Sequence, residues 1–335
     1  MAESWRKFEK RQAVRAIDVA NAAGVSQSAV SRVFRDGSVA PKRRAEILTV
    51  AKALGYRPDA MARSIITRRS GIIAILLSVD TNLHCPDVLT TLCRAVTTHK
   101  MRAMVFVVES MQEVDEAVEQ ALAYRVDGVI ALTDIAAEHA KALSELGSIL
   151  VLYNRDIEGV AANWVGCDHE HDGEMLARHI IAEGATALWI LEGPPTSSLA
   201  TQRLVGLTRG LDASQVPISV KRDLGDFSFE SGFNAVARRL AAGENEPEAI
   251  IAINDMMAIG AAEALRAVGH PERCKAFIAG FAGSAIAFLP DFRVMTISQP
   301  HERLATAAVE IIVAHLKCDS NSLERRTRTS NLLVN

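Results

Sequence analysis

A chain of 335 residues is too long for one small core and suits two or three domains. Hydrophobic residues make up 49% of it and charged residues 23%, an ordinary balance for a globular protein, and the longest apolar run, near residues 71–79, is too short to cross a bilayer. The opening "MAESWRKFEKRQ" has no apolar stretch behind its charges, so no secretory signal is expected; five scattered cysteines with no CxxC pair argue against a disulfide framework or a zinc knuckle and for a reducing cytoplasm. The net charge of -3 hides an asymmetry. Residues 1–70 carry 15 Lys/Arg against 6 Asp/Glu, whereas the remainder carries 22 against 34. A basic head on an acidic body predicts that the head meets a polyanion.

The head is patterned to fold. Ile17, Val19, Ala20 and Ala23 place an apolar stripe on a short helix that Gly24 stops. Ser26 is a suitable N-cap for a second helix from Gln27 to Phe34, with Val30, Val33 and Phe34 inward and Gln27, Ser28, Ser31 and Arg32 polar. Two short helices across a tight glycine turn predict a helix-turn-helix, whose second helix enters the DNA major groove. Gln pairs with adenine and Arg with guanine in bidentate fashion there. A third helix starts near Pro41, with a stripe of Ile47, Val50, Ala51 and Leu54, and Gly55 closes it. Lys42, Arg43 and Arg44 at its start are available to phosphates.

"AIDVANAAGVSQSAVSRVF" followed by "VAPKRRAEILTVAKALGYRPDAMARSI" resembles the head of the LacI/GalR family of bacterial transcriptional regulators, continuously from about residue 15 to residue 70. The resemblance implies that Gln27, Ser28 and Arg32 read an operator, with Ser26, Ser31, Arg43, Arg44 and Tyr56 as further candidate DNA contacts. It also implies a hinge over residues 58–69 that turns helical on DNA, Met61 and Ile65 being its contacts and Ile65 its minor-groove wedge. Asp59 stands where the family often has Asn, and Ala40 where it often has a capping Ser.

From Gly71 onward the texture changes. Apolar runs such as "GIIAILLSV", "RAMVFVVE", "GVIAL", "ILVLYN", "WVGCD", "ALWILEG", "AIIAIN", "AFIAGF" and "VMTISQ" alternate with amphipathic stretches. This predicts α/β architecture, with parallel sheets covered by helices on both faces and ligands beyond the carboxyl ends of the strands. The whole is therefore expected to be an all-α helix-turn-helix domain (residues 1–57), the hinge, and a core over residues 70–335. The core resembles the family's periplasmic-binding-protein-like pair of lobes, each a doubly wound parallel sheet, which bind an effector and dimerise.

At the strand ends, Asn254 is placed to meet a ligand hydroxyl, while Asp255 is read as the cap of the next helix. Arg203 is either a clamp for hydroxyls or a carboxylate, or one half of a surface salt bridge. Phe227 either stacks on a sugar face or belongs to the core, and Gln299 fits a polar contact at the lobe crossover. By resemblance Asp172, Arg203, Phe227, Asn254 and Gln299 match family effector positions, and Cys85 is a further candidate. In "GFAGSA", Ala282 replaces the family's usual ligand-binding Asp, which points away from a standard neutral hexose and toward a sugar-like or anionic metabolite.

"DHEHDG" at residues 168–173 crowds acids and histidines, but its four-residue spacing offers only Asp168 with Asp172, and acids also suit the start of a helix; no metal or other cofactor is expected. No GxGxxG after the first strand, GxxxxGK[ST], HExxH or GxSxG occurs, so no enzyme is indicated. The reading is a ligand-responsive regulator, a repressor in type, that binds a near-palindromic operator as a homodimer in the bacterial cytoplasm, at the nucleoid. The alternatives are an α/β sugar-binding protein or enzyme with an added DNA head, and an architectural protein that binds DNA without sequence preference.

Overall fold

Ser26 sets the geometry of the first helices. Its hydroxyl accepts from the Ala29 amide at 3.2 Å and so starts α2 (Gln27–Val33) one tight turn after α1 (Ala16–Ala22). Gly24, at φ +61°, makes that turn. A third helix, α3 (Pro41–Leu54), begins with proline at its first turn and ends on Gly55 in the left-handed conformation. Val19, Ala20, Val30, Val33, Ile47 and Ala51 form the buried core of this three-helix unit. The apolar stripes are narrower than the sequence predicts: Ile17 and Leu54 are 37% and 40% exposed.

This computed structural model describes residues 14–34, 38–57, 69–79, 86–268, 276–290, 292–317 and 322–334. Two compact units divide at residues 70 and 71.

The second unit contains two six-stranded sheets. In chain order, its first lobe is β1 (Ile72–Ser78), α4 (Pro86–Thr98), β2 (Arg102–Val108), α5 (Met111–Ala123), β3 (Gly128–Ala131), α6 (Ala137–Glu145), β4 (Ile149–Tyr153) and β5 (Asn163–Cys167). The chain then builds the second lobe: α7 (His169–Ala182), β6 (Ala187–Glu192), α8 (Ser198–Asp212), β7 (Ser219–Leu224), α9 (Phe229–Ala241), β8 (Ala249–Ala252), α10 (Asp255–Val268), β9 (Phe277–Ala282), a 3-10 turn (Ala285–Phe288) and β10 (Val294–Ser298). It returns to the first lobe with α11 (His301–Lys317) and β11 (Arg325–Arg328), and ends in the second with β12 (Asn331–Leu333).

The sheet orders are β2-β1-β3-β4-β5-β11 and β7-β6-β8-β9-β10-β12. Every pairing is parallel except β10 with β12. Both faces of each sheet are buried, which is why the central strands read as unbroken apolar runs rather than alternating ones. The three short strands that the sequence did not announce, β7, β11 and β12, lie at sheet edges and are polar or half-exposed, so no apolar run marks them.

Glycines set how closely the covering helices approach. A Cβ on Gly206 of α8 would lie 1.9 Å from the Glu170 carbonyl oxygen of α7, and one on Gly260 of α10 would lie 2.1 Å from the Phe229 carbonyl oxygen of α9. Both obstacles are backbone and cannot swing away. Gly206→Ala is therefore expected to force α7 and α8 apart and lower stability by about 1–3 kcal/mol or more, whereas an alanine at solvent-facing Thr201 of the same helix should be nearly neutral. Thermal unfolding of the two variants checks this.

Candidate functional site: a cleft between two sheets and a helix-turn-helix

The carboxyl ends of both sheets in the second unit open onto one cavity of about 440 Å³, within the range of small-molecule sites. Ser78, Val108, Leu132 and Tyr153 line it at or just beyond the ends of β1, β2, β3 and β4, and Asn254, Asp255, Phe281 and Ala282 do so from the other lobe. This is where an open α/β sheet offers its ligand site, because strand order reverses around β1 and around β6 and leaves a gap between the connecting loops.

Of the sequence-derived effector candidates, Arg203, Phe227, Asn254 and Gln299 come together on this cavity. Arg203 is only 3% exposed. Its Nη1 donates to the Ile253 carbonyl at 2.7 Å and its guanidinium lies 4.9 Å from the Phe281 ring centroid, so it is a buried group of the wall and not a surface salt bridge. Phe227 lines the cleft at φ +72°, a conformation that costs a non-glycine residue about 1–3 kcal/mol. Asn154 (φ +54°) and Ala282 (φ +139°) are further cleft residues at positive φ. Three such positions around one cavity indicate a backbone held in place by its surroundings.

Two expectations need correction. Asn254, not Asp255, caps α10: its Oδ1 accepts from the Met257 amide at 2.9 Å, while its Nδ2 donates to the Phe227 carbonyl at 2.7 Å. Asp255 instead turns inward, accepting from Thr296 Oγ1 at 2.6 Å and from the Ser284 amide at 2.7 Å, and burial pushes its pKa up. Asp172 does not line the cleft. It is 3% exposed on α7 and accepts from Ser330 Oγ at 2.8 Å, in the link between β11 and β12. Its carboxyl reads as a family position in sequence, but the first turn of α7 directs it to a crossing between lobes. Cys85 lies outside the described residues.

The cleft also holds residues that sequence reasoning missed. Asn154, just after β4, donates from Nδ2 to Gln299 Oε1 at 2.8 Å and accepts the Cys167 amide at 3.0 Å on Oδ1. Arg155 donates from Nε to the Leu132 carbonyl at 2.9 Å. His301 faces Ala282, with Nε2 3.3 Å from its carbonyl oxygen; burial holds its pKa below the usual imidazole value, against the pull of that carbonyl and of Asp87. The signal available was position: "YNR" follows an apolar run directly, as "IND" does, and a strand-end rule applied to every strand would have named Asn154 and Arg155.

In the "DHEHDG" segment, Asp168 caps α7 by accepting from the His171 amide at 2.9 Å. His169 is buried and its pKa is driven well down, first by burial and then by the charge of Arg203. Among the described residues no cluster of three or more His, Cys, Asp or Glu could hold a metal ion, and no helix is long and apolar enough to cross a membrane.

In the first unit, Gln27, Ser28 and Arg32 are exposed along one side of α2, and Ser31 is half-buried. Ser28 Oγ lies 2.9 Å from Ser26 Oγ, and Arg32 Nε lies 3.4 Å from the Ser28 carbonyl oxygen, one turn back along the helix. On α3, Arg43 pairs with Glu46 at 3.4 Å and Arg44 is half-buried. Tyr56 meets the Phe34 ring edge-on at 5.4 Å, so its ring helps close the three-helix core. Met61, Ile65 and the hinge segment over residues 58–68 lie outside the described residues.

Comparison with known proteins agrees with this pairing of units. Residues 17–59 match the model of bacterial regulatory proteins of the lacI family, and residues 106–320 match that of the periplasmic binding protein domain. The lactose operon repressor of Escherichia coli (strain K12) is 30% identical over 260 residues, covering 75% of this chain and 71% of that protein. The ribose operon repressor of the same organism is 25% identical over 308 residues, covering 88% and 91%. In fold, the crystal structure of the Lac repressor dimer bound to operator and the anti-inducer ONPF superposes with a TM-score of 0.83 at 24% identity, covering 96% of this chain and 98% of that one.

The buried carboxyl at the crossing gives a test of pH dependence. Burial raises the Asp172 pKa to about 6, with the Ser330 hydrogen bond and Arg203 opposing it. Because the folded value lies above the unfolded one, the ionised form is disfavoured in the native state: relative stability rises as pH falls from 7 through about 6 and levels off below 4. Asp172→Asn should abolish that gain, so wild type should gain about 2–3 kcal/mol on the variant between pH 7 and pH 4, measured by denaturant unfolding.

The helix-turn-helix, the two-lobed cleft and relatives that are repressors and not enzymes converge: the chain belongs to the lacI family of bacterial regulatory proteins, ligand-responsive DNA-binding repressors.

Proposed function

We propose that this protein represses transcription by binding a near-palindromic operator as a homodimer, and that a small polar metabolite in the interlobe cleft switches that binding. The observation that carries the reading is one chain with a recognition helix whose exposed side is Gln27, Ser28 and Arg32, and a separate unit whose cavity draws polar side chains from both lobes. One short recognition helix reads few base pairs, and a two-fold protein doubles the site. The Lac repressor, whose fold this chain shares, is a dimer on its operator. The domain assignment follows: residues 1–57 read DNA, residues 58–69 form the hinge, and residues 70–335 bind effector and dimerise. Asn254, Phe227, Arg203 and Gln299 face the metabolite, and Ile65 is the hinge wedge.

The geometry also selects the variants. Alanine at Asn254 removes a helix cap and alanine at Arg203 empties a buried site, so both cost fold as well as ligand. Phe227→Ala is cleaner. It should leave operator affinity within about twofold and remove the ability of the inducing or co-repressing compound to change it. Selection of DNA fragments by the full chain should return a two-fold symmetric motif, and Arg32→Ala should weaken that site by about 1–3 kcal/mol and relax discrimination. Ile65→Gly should weaken operator binding and uncouple it from ligand. Fragments without a shared motif would overturn specific readout, and a Phe227→Ala variant with normal ligand response would overturn the effector site.

A further inference from the structure

The first-lobe wall of the cleft carries a buried cation with little to offset it. Arg155 follows β4 and its side chain is 16% exposed. The Leu132 carbonyl takes its Nε–H and fixes the guanidinium at the end of β3. Asp134 is the nearest acid, but its Oδ1 stands 3.6 Å from Nη1, beyond a hydrogen bond, and its side chain is 47% exposed. Arg155 makes no other hydrogen bond to a described residue, and it lines the cavity. Burial pulls the Arg155 pKa down, and Asp134 opposes this as the lesser influence.

The other acids that line the cleft among the described residues do not supply the missing charge. Glu109 and Asp226 are exposed at its rim, and Asp226 is committed to the amide and hydroxyl of Ser228. Asp255 is buried with both oxygens hydrogen-bonded. On the facing lobe, position 282 is alanine, so no carboxylate stands there to repel an anion.

We infer that Arg155 is an anion subsite within the cleft, taking the carboxylate or phosphate of a small acidic metabolite whose uncharged part extends toward Phe227 and Gln299. This rests on the reading of the cleft as the effector site. A guanidinium whose Nε is already engaged offers its two Nη groups as a fork, and a carboxylate or phosphate accepts from both with more strength than a neutral hydroxyl. Gln299 supports the other end. Its Oε1 is taken by Asn154, and its Nε2 makes no hydrogen bond to a described residue, which leaves a donor for a hydroxyl or carbonyl of the same molecule.

The test uses the full chain and thermal unfolding at constant ionic strength and pH. Inorganic phosphate and acetate are each titrated against chloride, and D-galacturonate against D-galactose. The expected result is saturable stabilisation by at least one of the two simple anions, and a preference for galacturonate over galactose. Arg155→Gln, which can still donate to the Leu132 carbonyl, should weaken the anion response about tenfold or more. Asp134→Asn removes the acid that faces Arg155 and should strengthen it several-fold, which keeps the test open if the Arg155 variant does not fold. Phosphate and acetate no better than chloride, an Arg155→Gln variant with an undiminished response, or equal stabilisation by galactose and galacturonate would each overturn the subsite. Galactose binding that depends on Phe227, with no anion response, would leave the cleft an effector site and remove only the anion. Anion binding at Arg155 with no effect of any cleft compound on operator affinity would do the reverse.

Discussion

The side-chain amide of Asn154 is the point on which the geometry of the cleft turns. The chain passes between the two lobes three times, after β5, after β10 and after β11, and the second passage lines the cavity through Gln299 and His301. Asn154 binds the first passage through the Cys167 amide and the second through Gln299 Oε1. The first and third are joined by Ser330 on Asp172. A primary amide can accept on one side and donate on the other, which no carboxylate or ammonium does, and it tolerates the left-handed backbone found here better than most side chains. The partners of these bonds are buried or half-buried, so breaking one leaves a polar group short of a partner at a cost of about 1–3 kcal/mol.

The lobes on either side of this junction resist deformation. Each is a sheet buried on both faces, and the helices on the second lobe meet backbone to backbone at Gly173, Gly206, Gly232 and Gly260, where a methyl group has no room. Close-packed layers of this kind transmit strain instead of absorbing it. Compliance is therefore concentrated in the three crossings, the second of which borders the cleft. The same partition holds for charge: excess base in the first 70 residues and excess acid beyond them leave the polyanion to the head and keep the ligand-binding unit from competing for it.

Much of this was legible in the sequence, for reasons that also explain what was not. Each of the nine apolar runs named from sequence became a strand, and the central ones are apolar throughout because both their faces are buried, whereas β2, at a sheet edge, exposes Val105 and Val107. The edge strands β7, β11 and β12 carry Lys221, Arg222, Arg325, Arg326 and Asn331, and their pairing depends on neighbours far away in the chain. Around the cleft, Phe227, Asn254 and Gln299 were found because they follow or flank recognisable segments. The capping error at Asn254 and Asp255 has a physical origin. Both types cap helices well, and only the position of Thr296 and Ser284, contributed by a different strand and loop, decides which side chain turns inward. Asp172 was misplaced for the same reason: Ser330 is 158 residues away in sequence and adjacent in space.

A ligand can switch such a protein only by binding two arrangements of the lobes unequally. Moving an equilibrium from 1:99 to 99:1 takes a difference of about 5.5 kcal/mol. A cavity of about 440 Å³ admits a molecule able to make only a handful of polar contacts. Neutral hydrogen bonds contribute about 0.5–1.5 kcal/mol net, so several would have to be present in one arrangement and absent in the other. Bonds to charged groups contribute about 1.5–3 kcal/mol, so about two to four of those suffice. The residues of the cavity wall belong to opposite lobes, with Arg155 and Asn154 on one and Phe227 and Asn254 on the other. A molecule spanning them would gain its full contact set at one interlobe angle and lose part of it at any other, so a cavity lined by both lobes, more than its chemistry alone, would let binding there bias the shape of the protein.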